Sequence, residues 1–196
     1  MNNVFHKLKD AYVFAKKAHK GQERKCGGAF IEHPIRVSMR AVTTESPDFH
    51  ALRYLDCQIV GLLHDVIEDT EHTRESLTEA GFGQWVDDVY ALSRRKPQEC
   101  ELCAPQWEET HGVSEWCKHQ KGDECCQSHW DFIRDTREYA IKKASLCNTK
   151  REWRHETVIR VKVADIQDNM VTADQLGPTM RDRYEKSLHI LLTENI

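Results

Sequence analysis

Glycine and proline are scarce in this 196-residue sequence, nine and five respectively, and strand-like alternation of apolar and polar residues is sparse. Those shortages leave little from which to build a sheet and point to an all-α scaffold. No apolar run approaches the roughly 18 residues that a bilayer-spanning helix needs, which excludes a membrane span of that kind. There is no basic excess either: the net charge is -4, which argues against a general nucleic-acid binder, although a local basic patch stays open. The first residues, MNNVFHKLKDAY, carry the charge pattern of an amphipathic helix rather than an export signal, and the expected compartment is the cytoplasm.

With 39% apolar and 31% charged residues, the chain is long enough for one sizeable core, so a single domain over 1–196 is expected. Val4, Phe5, Leu8, Ala11, Tyr12, Ala15 and Ala18 repeat at helical spacing and predict a first helix ending near Gly21. A polar loop, GQERKCGGAF, follows. Pro34 suits the first turn of a second helix, with His33 at its N-cap or just before it. The spacing predicts a third helix from about Ala51 to Asp69, a short fourth capped by Thr73 and closed by Gly81, and a fifth around Trp85 to Leu92. Periodicity stops after RRK and resumes at Phe132 and Ile133. VIRVKVADIQDNM then reads as a buried helix, and Tyr184, Leu188 and Leu191 mark a last one.

Within LLHDVIEDT, His64 and Glu68, and Asp65 and Asp69, fall one helical turn apart in an otherwise apolar run. Four ionisable groups crowded into a buried helix end are costly unless something compensates them. A divalent cation held by His64 and Asp65 does so, leaving Glu68 and Asp69 to handle water and protons. His33 and Asp165 are the further candidate ligands, each in a locally apolar helix or at its start. Mixed imidazole and carboxylate ligation suits Mn, Fe or Zn better than Ca or Mg. Blander readings stand beside these: His33 as a helix cap, Asp165 as a buried ion-pair partner, Glu68 and Asp69 as a solvated helix end.

Taken together, AHKGQERKCGGAFIEHP, GLLHDVIEDT, ALSRRK and VKVADIQDNM resemble the HD-domain hydrolases of the RelA/SpoT type, closest in size to the stand-alone small alarmone hydrolases. The resemblance covers the chain except roughly residues 97–131. It implies an all-helical HD-domain bundle with one Mn-type ion bound by His33, His64, Asp65 and Asp165. It also implies removal of the 3′-pyrophosphate from guanosine tetra- or pentaphosphate, with Glu68 and Asp69 as the catalytic acidic pair. Arg24 and Lys25 match the family's pair lining the nucleotide pocket, Asn169 and Thr172 match positions contacting ribose and phosphate, and Tyr184 aligns with a tyrosine near the leaving phosphates. As bare sequence, KGQERK is also a solvated basic loop and Tyr184 a core aromatic. Phe30 stands where many members have tyrosine, and the Gly27–Gly28 pair reshapes the base-facing loop, so guanine against adenine preference stays open. No synthetase or regulatory region of the long enzymes is recognisable, which implies hydrolysis without synthesis.

Residues 97–131 look inserted. Cys100 and Cys103 form a CxxC pair, with Cys117, Cys125 and Cys126 downstream and His111, His119 and His129 nearby. A structural Zn2+ on Cys100, Cys103, Cys117 and either Cys125 or Cys126 would hold a segment with no clear core, while free thiols or a disulfide are the alternatives. Trp107, Trp116 and Trp130 read as that module's own minimal core. The expected partner is a small nucleotide substrate, and a homo-oligomer is a candidate assembly. Two competing functions remain: a phosphatase acting on the 2′-phosphate of NADPH or another nucleotide, and a non-enzymatic binding module led by the zinc insertion.

Overall fold

The computed structural model describes residues 2–42, 51–94, 129–146, 157–172 and 177–193. In chain order the helices are α1 (Asn2–Ala18), α2 (Glu32–Arg40), α3 (Ala51–Leu63), α4 (Val66–Asp69), α5 (Arg74–Leu77), a π-helical turn (Thr78–Phe82), α6 (Val86–Leu92), α7 (His129–Leu146), α8 (Thr157–Met170) and α9 (Pro178–Thr193). Among the described residues the extended pairing amounts to one isolated antiparallel bridge, Glu23 to Ala29. The all-α expectation holds. No helix of the described residues is long and apolar enough to cross a membrane.

Helical spacing becomes buried stripes. Ala11 and Ala15 of α1 are fully buried, while Lys16 and Lys17 close that helix where its dipole favours cations. Val37 of α2, with Cys57, Ile59, Val60 and Leu63 of α3, joins Val89 and Leu92 of α6 and Val158 and Val161 of α8 in the main core. A second, smaller core collects Phe132 and Ile133 of α7, Ile166 of α8, and Ile190 and Leu191 of α9. Helix α8 therefore serves both cores, packing on α2, α3 and α6 on one side and on α7 and α9 on the other.

Two helix boundaries differ from the sequence reading. His33 is the second residue inside α2, whose N-cap is Ile31, so His33 does not cap it. The chain is already coiled before the helix starts, because the amides of Glu32 and His33 donate to the carbonyls of Ala29 and Phe30 at 3.1 and 3.0 Å. The predicted helix from Ala51 to Asp69 is broken at His64 and Asp65 into α3 and α4. Here the His64 imidazole Nδ1 donates to the Gly61 carbonyl at 2.8 Å, taking the acceptor that an unbroken helix reserves for the Asp65 amide. The Asp69 amide then donates to the Asp65 carbonyl at 2.8 Å, so Asp65 and Asp69 still sit one turn apart.

Thr73 caps α5 as expected, in a reciprocal capping box with Ser76, and Gly81 takes the left-handed φ of 86° where that turn ends. Trp130 lies in α7, which starts at His129, and packs against the second core rather than inside a separate module. Cys100, Cys103, Cys117, Cys125 and Cys126, with Trp107, Trp116, His111 and His119, lie outside the described residues.

Candidate metal centre and cleft

Three elements converge on one point. Helix α2 brings His33, the α3–α4 break brings His64 and Asp65, and α8 brings Asp165. One ligand atom each from His33, His64 and Asp165 lie within 4.8 Å of one another, and all three residues are buried. His33 Nε2 is 3.5 Å from Asp65 Oδ2 and 3.3 Å from Asp165 Oδ1, and His64 Nε2 is 3.1 Å from Asp65 Oδ1 and 3.8 Å from Asp165 Oδ1. Sequence reasoning named all four residues, and the fold brings all four together.

The imidazole geometry fits a cation. A carboxylate or carbonyl has only acceptors to offer, so His33 Nδ1 donates to Asp168 Oδ2 at 2.8 Å and His64 Nδ1 donates to the Gly61 carbonyl. Both rings thus turn Nε2 toward the same two carboxylates. His64 Nε2 is buried with no hydrogen-bond partner despite those nearby oxygens. Two lone pairs facing two carboxylates repel unless positive charge sits among them, and a divalent ion supplies it.

The electrostatics agree. Burial disfavours the imidazolium of His64, yet Asp65 and Asp165 overcome that and hold its pKa well above the ordinary value; His33 is raised likewise by Asp165 and Asp168. Burial pushes Asp165 up, but Lys162, His33 and His64 pull it well below the usual range. The Lys162 ammonium donates to Asp165 Oδ2 at 3.0 Å and lies 4.9 Å over the Phe132 ring.

Glu68 and Asp69 extend from this centre into a cleft of about 680 Å³, which His33, Asp65 and Asp165 also line. Burial raises the Glu68 carboxyl, Asp65 raises it further, and the Arg94 amide donating to Oε2 at 3.0 Å offsets part of that. Asp69 is open to the cleft, but its crowded surroundings together with Asp65 and Glu68 push its carboxyl up to about 7. Asp69 is therefore suited to taking up a proton near neutrality, and the Glu68 carboxyl is shifted in the same direction.

Every residue read as substrate-side lines the same cleft: Arg24, Lys25, Asn169, Thr172 and Tyr184. Arg24 donates to Asn169 Oδ1 at 2.8 Å, and Asn169 Nδ2 donates to Asp165 Oδ1 at 2.7 Å, so the cleft wall is wired to the metal centre. Tyr184 also packs on the second core, as its reading as a core aromatic expects. Phe30 lines the cleft while stacking on His19 at 4.6 Å, and Gly27 and Gly28 turn the loop beside it with φ of 88° and 85°.

Sequence reasoning missed Lys162, Arg183 and Asp168. Lys162 and Arg183 line the cleft, adding cationic charge opposite the carboxylates. Asp168 is buried behind His33. The sequence shows only a second aspartate three positions after Asp165, and its burial depends on partners from α2.

This is an all-α HD-domain fold with a His/His/Asp cluster able to hold a divalent ion. A solved structure described as a metazoan ortholog of SpoT that hydrolyzes ppGpp and plays a role in starvation responses matches it with a TM-score of 0.58. The match covers 96% of this chain and 87% of that one at 18% identity, a likeness of fold. In sequence the chain is 42% identical over 92 residues to a GTP pyrophosphokinase of Myxococcus xanthus, a stretch that is 44% of this chain and 11% of that protein. It is 39% identical over 93 residues to a guanosine-3′,5′-bis(diphosphate) 3′-pyrophosphohydrolase of Vibrio cholerae, covering 45% of this chain and 12% of the relative. The bifunctional (p)ppGpp synthase/hydrolase SpoT of Escherichia coli is 35% identical over 83 residues, which are 42% and 11% of the two chains. The matched stretches thus span about a tenth of these relatives. No protein-family model matches.

Proposed function

We propose that this chain is a metal-dependent hydrolase that removes the 3′-pyrophosphate from guanosine alarmones, (p)ppGpp, and accepts adenosine alarmones in the same cleft. The observation that carries the reading is the juxtaposition of an imidazole–carboxylate cluster and a carboxylate pair with a cleft wall bearing Arg24 and Lys25. The names of the relatives point the same way, and they favour neither the NADPH phosphatase nor the non-enzymatic binding module.

In this reading His33, His64, Asp65 and Asp165 hold one Mn-type ion, which when bound supplies Lewis acidity at a phosphoryl oxygen and lowers the pKa of a water. Glu68 and Asp69 orient the attacking water and accept its proton, a task matched to their raised carboxyl pKa values. Arg24 presents a guanidinium for stacking on a purine face, and Lys25 offsets phosphate charge. Asn169 and Thr172 hold the ribose and phosphate region, and Tyr184 sits toward the leaving group. Lys162 offsets the charge of Asp165.

We propose further that 1–196 is one HD hydrolase domain whose segment 97–131 carries a structural Zn2+ on Cys100, Cys103, Cys117 and Cys125.

The test is an Mn-supplemented assay on guanosine and adenosine alarmones with NADPH alongside, products resolved by anion exchange. Intact pyrophosphate from an alarmone is expected. Asp65→Ala should abolish it with little change in helix content by circular dichroism. Orthophosphate from NADPH alone, or full turnover by Asp65→Ala, would overturn the reading.

A further inference from the structure

Asp168 lies outside the ligand cluster yet is in direct contact with one of its imidazoles, that of His33. It is 2% exposed. Its Oδ2 is 2.8 Å from His33 Nδ1, and its two oxygens take the Arg36 guanidinium in a fork, Oδ1 to Nε at 2.8 Å and Oδ2 to a terminal nitrogen at 3.0 Å. Arg40 Nε stands 3.5 Å from Oδ1, and a terminal nitrogen of Arg24 stands 4.0 Å from Oδ2. Asp168 and His33 are 135 positions apart in sequence, so no local turn explains their meeting.

A bridge between α8 and α2 could be met by the Arg36 pair alone. The contact with His33 does something else. A carboxylate accepts and never donates, so it fixes the proton of His33 on Nδ1 and turns the lone pair of Nε2 toward Asp65 and Asp165. It also fixes the ring plane and makes the imidazole a stronger donor to a cation. His64 gets only a neutral carbonyl, that of Gly61, for the same purpose. The two imidazoles are therefore unequal, with the charged support on the ring carried by α2, the helix next to the Arg24 loop.

We propose that Asp168 is a positioning residue for the metal centre, setting the tautomer and orientation of His33 while its fork to Arg36 keeps the carboxylate fixed. The proposal rests on the metal part of the function proposed above, and its test does not depend on which nucleotide is cleaved. Protein stripped with chelator is titrated with Co2+ and followed by visible absorption, comparing wild type with Asp168→Asn, Asp168→Ala and Arg36→Met. Thermal melts run alongside. Loss of second-layer carboxylates typically costs about 10- to 100-fold in metal affinity, and that loss is expected for both Asp168 variants. Arg36→Met removes the fork but spares the imidazole contact, so it should lower the melting temperature while weakening Co2+ binding less than either Asp168 variant does.

Asp168→Asn binding Co2+ as tightly as wild type, with only its melting temperature lowered, would reduce Asp168 to an interhelical ion pair and overturn the proposal. Failure of wild type to bind Co2+ at all would instead overturn the metal reading. Should the Asp168 variants not fold, long-range 1H–15N spectra of the zinc-loaded wild type decide the matter. Pyrrole-type Nδ1 for His33 is expected, and a proton on Nε2 would sink the proposal.

Discussion

At the scale of single residues, what distinguishes a ligand from a core histidine is where its second nitrogen goes. His33 and His64 each commit Nδ1 to an acceptor outside the cluster and leave Nε2 inside it. The same contacts that raise their pKa values make the metal-free site hold protons that a cation must displace. Because the folded pKa values lie above the unfolded ones, protonation of these rings stabilises the metal-free fold fully below about pH 6.5, and the contribution fades as pH climbs through the folded values. Metal affinity should run the opposite way, strengthening as pH rises over that window. Calorimetric titration with Mn2+ in buffers of different ionisation enthalpy should show proton release near neutral pH, and a binding heat independent of buffer would contradict this. The four candidate ligands were legible in the sequence because each lies in a locally apolar helix or at its start. Asp168 was not, since its burial depends on Arg36 and His33 arriving from α2, and an aspartate in ADIQDN looks like an ordinary solvated helix position until that neighbour is known.

At the scale of elements, the placement of His33 against His64 depends on how closely α2 crosses α3. The crossing occurs at Gly61, where an added Cβ would stand 2.8 Å from the Cα of Ser38. Gly61→Ala must therefore push the two helices apart. Overpacking of this kind costs about 1–3 kcal/mol, which chemical denaturation should register, and the displaced ligands should lower metal affinity as well. A Gly61→Ala protein with wild-type stability would show that the helices can slide without cost. Element identities followed from periodicity and from turn chemistry such as Thr73, whose side chain accepts the Ser76 amide as its sequence context implied. The break after Leu63 was hidden, because the apolar spacing runs through it without a glycine or proline to mark it. Its cause is a side-chain hydrogen bond to the backbone, which periodicity does not report.

At the scale of the whole molecule, two hydrophobic cores share α8, and the metal centre and cleft lie along the seam between them. Helix α6 is fastened to α7 by Asp88, which accepts from the Tyr139 hydroxyl at 3.1 Å and pairs with Lys143. If that segment holds a structural zinc as proposed, its loss should be felt as stability rather than chemistry. Replacing Cys100 and Cys103 together by serine should remove zinc measured by mass spectrometry and lower the melting temperature, with alarmone turnover per folded molecule nearly unchanged. Turnover falling in step with zinc content would place the segment in the reaction instead.

The wide sequence separation of the ligands has a kinetic side. His33, the His64–Asp65 break and Asp165 come from three distant stretches, and the support of His33 reaches across 135 positions. Long loops must close before these groups meet, and such contacts form late when a chain folds. The unfolded chain thus offers a cation only fragments of this centre, the adjacent His64 and Asp65 being the largest. Metal capture during refolding should appear only once α8 has docked on α2 and α3, which makes the cation a clock for the last step of assembly.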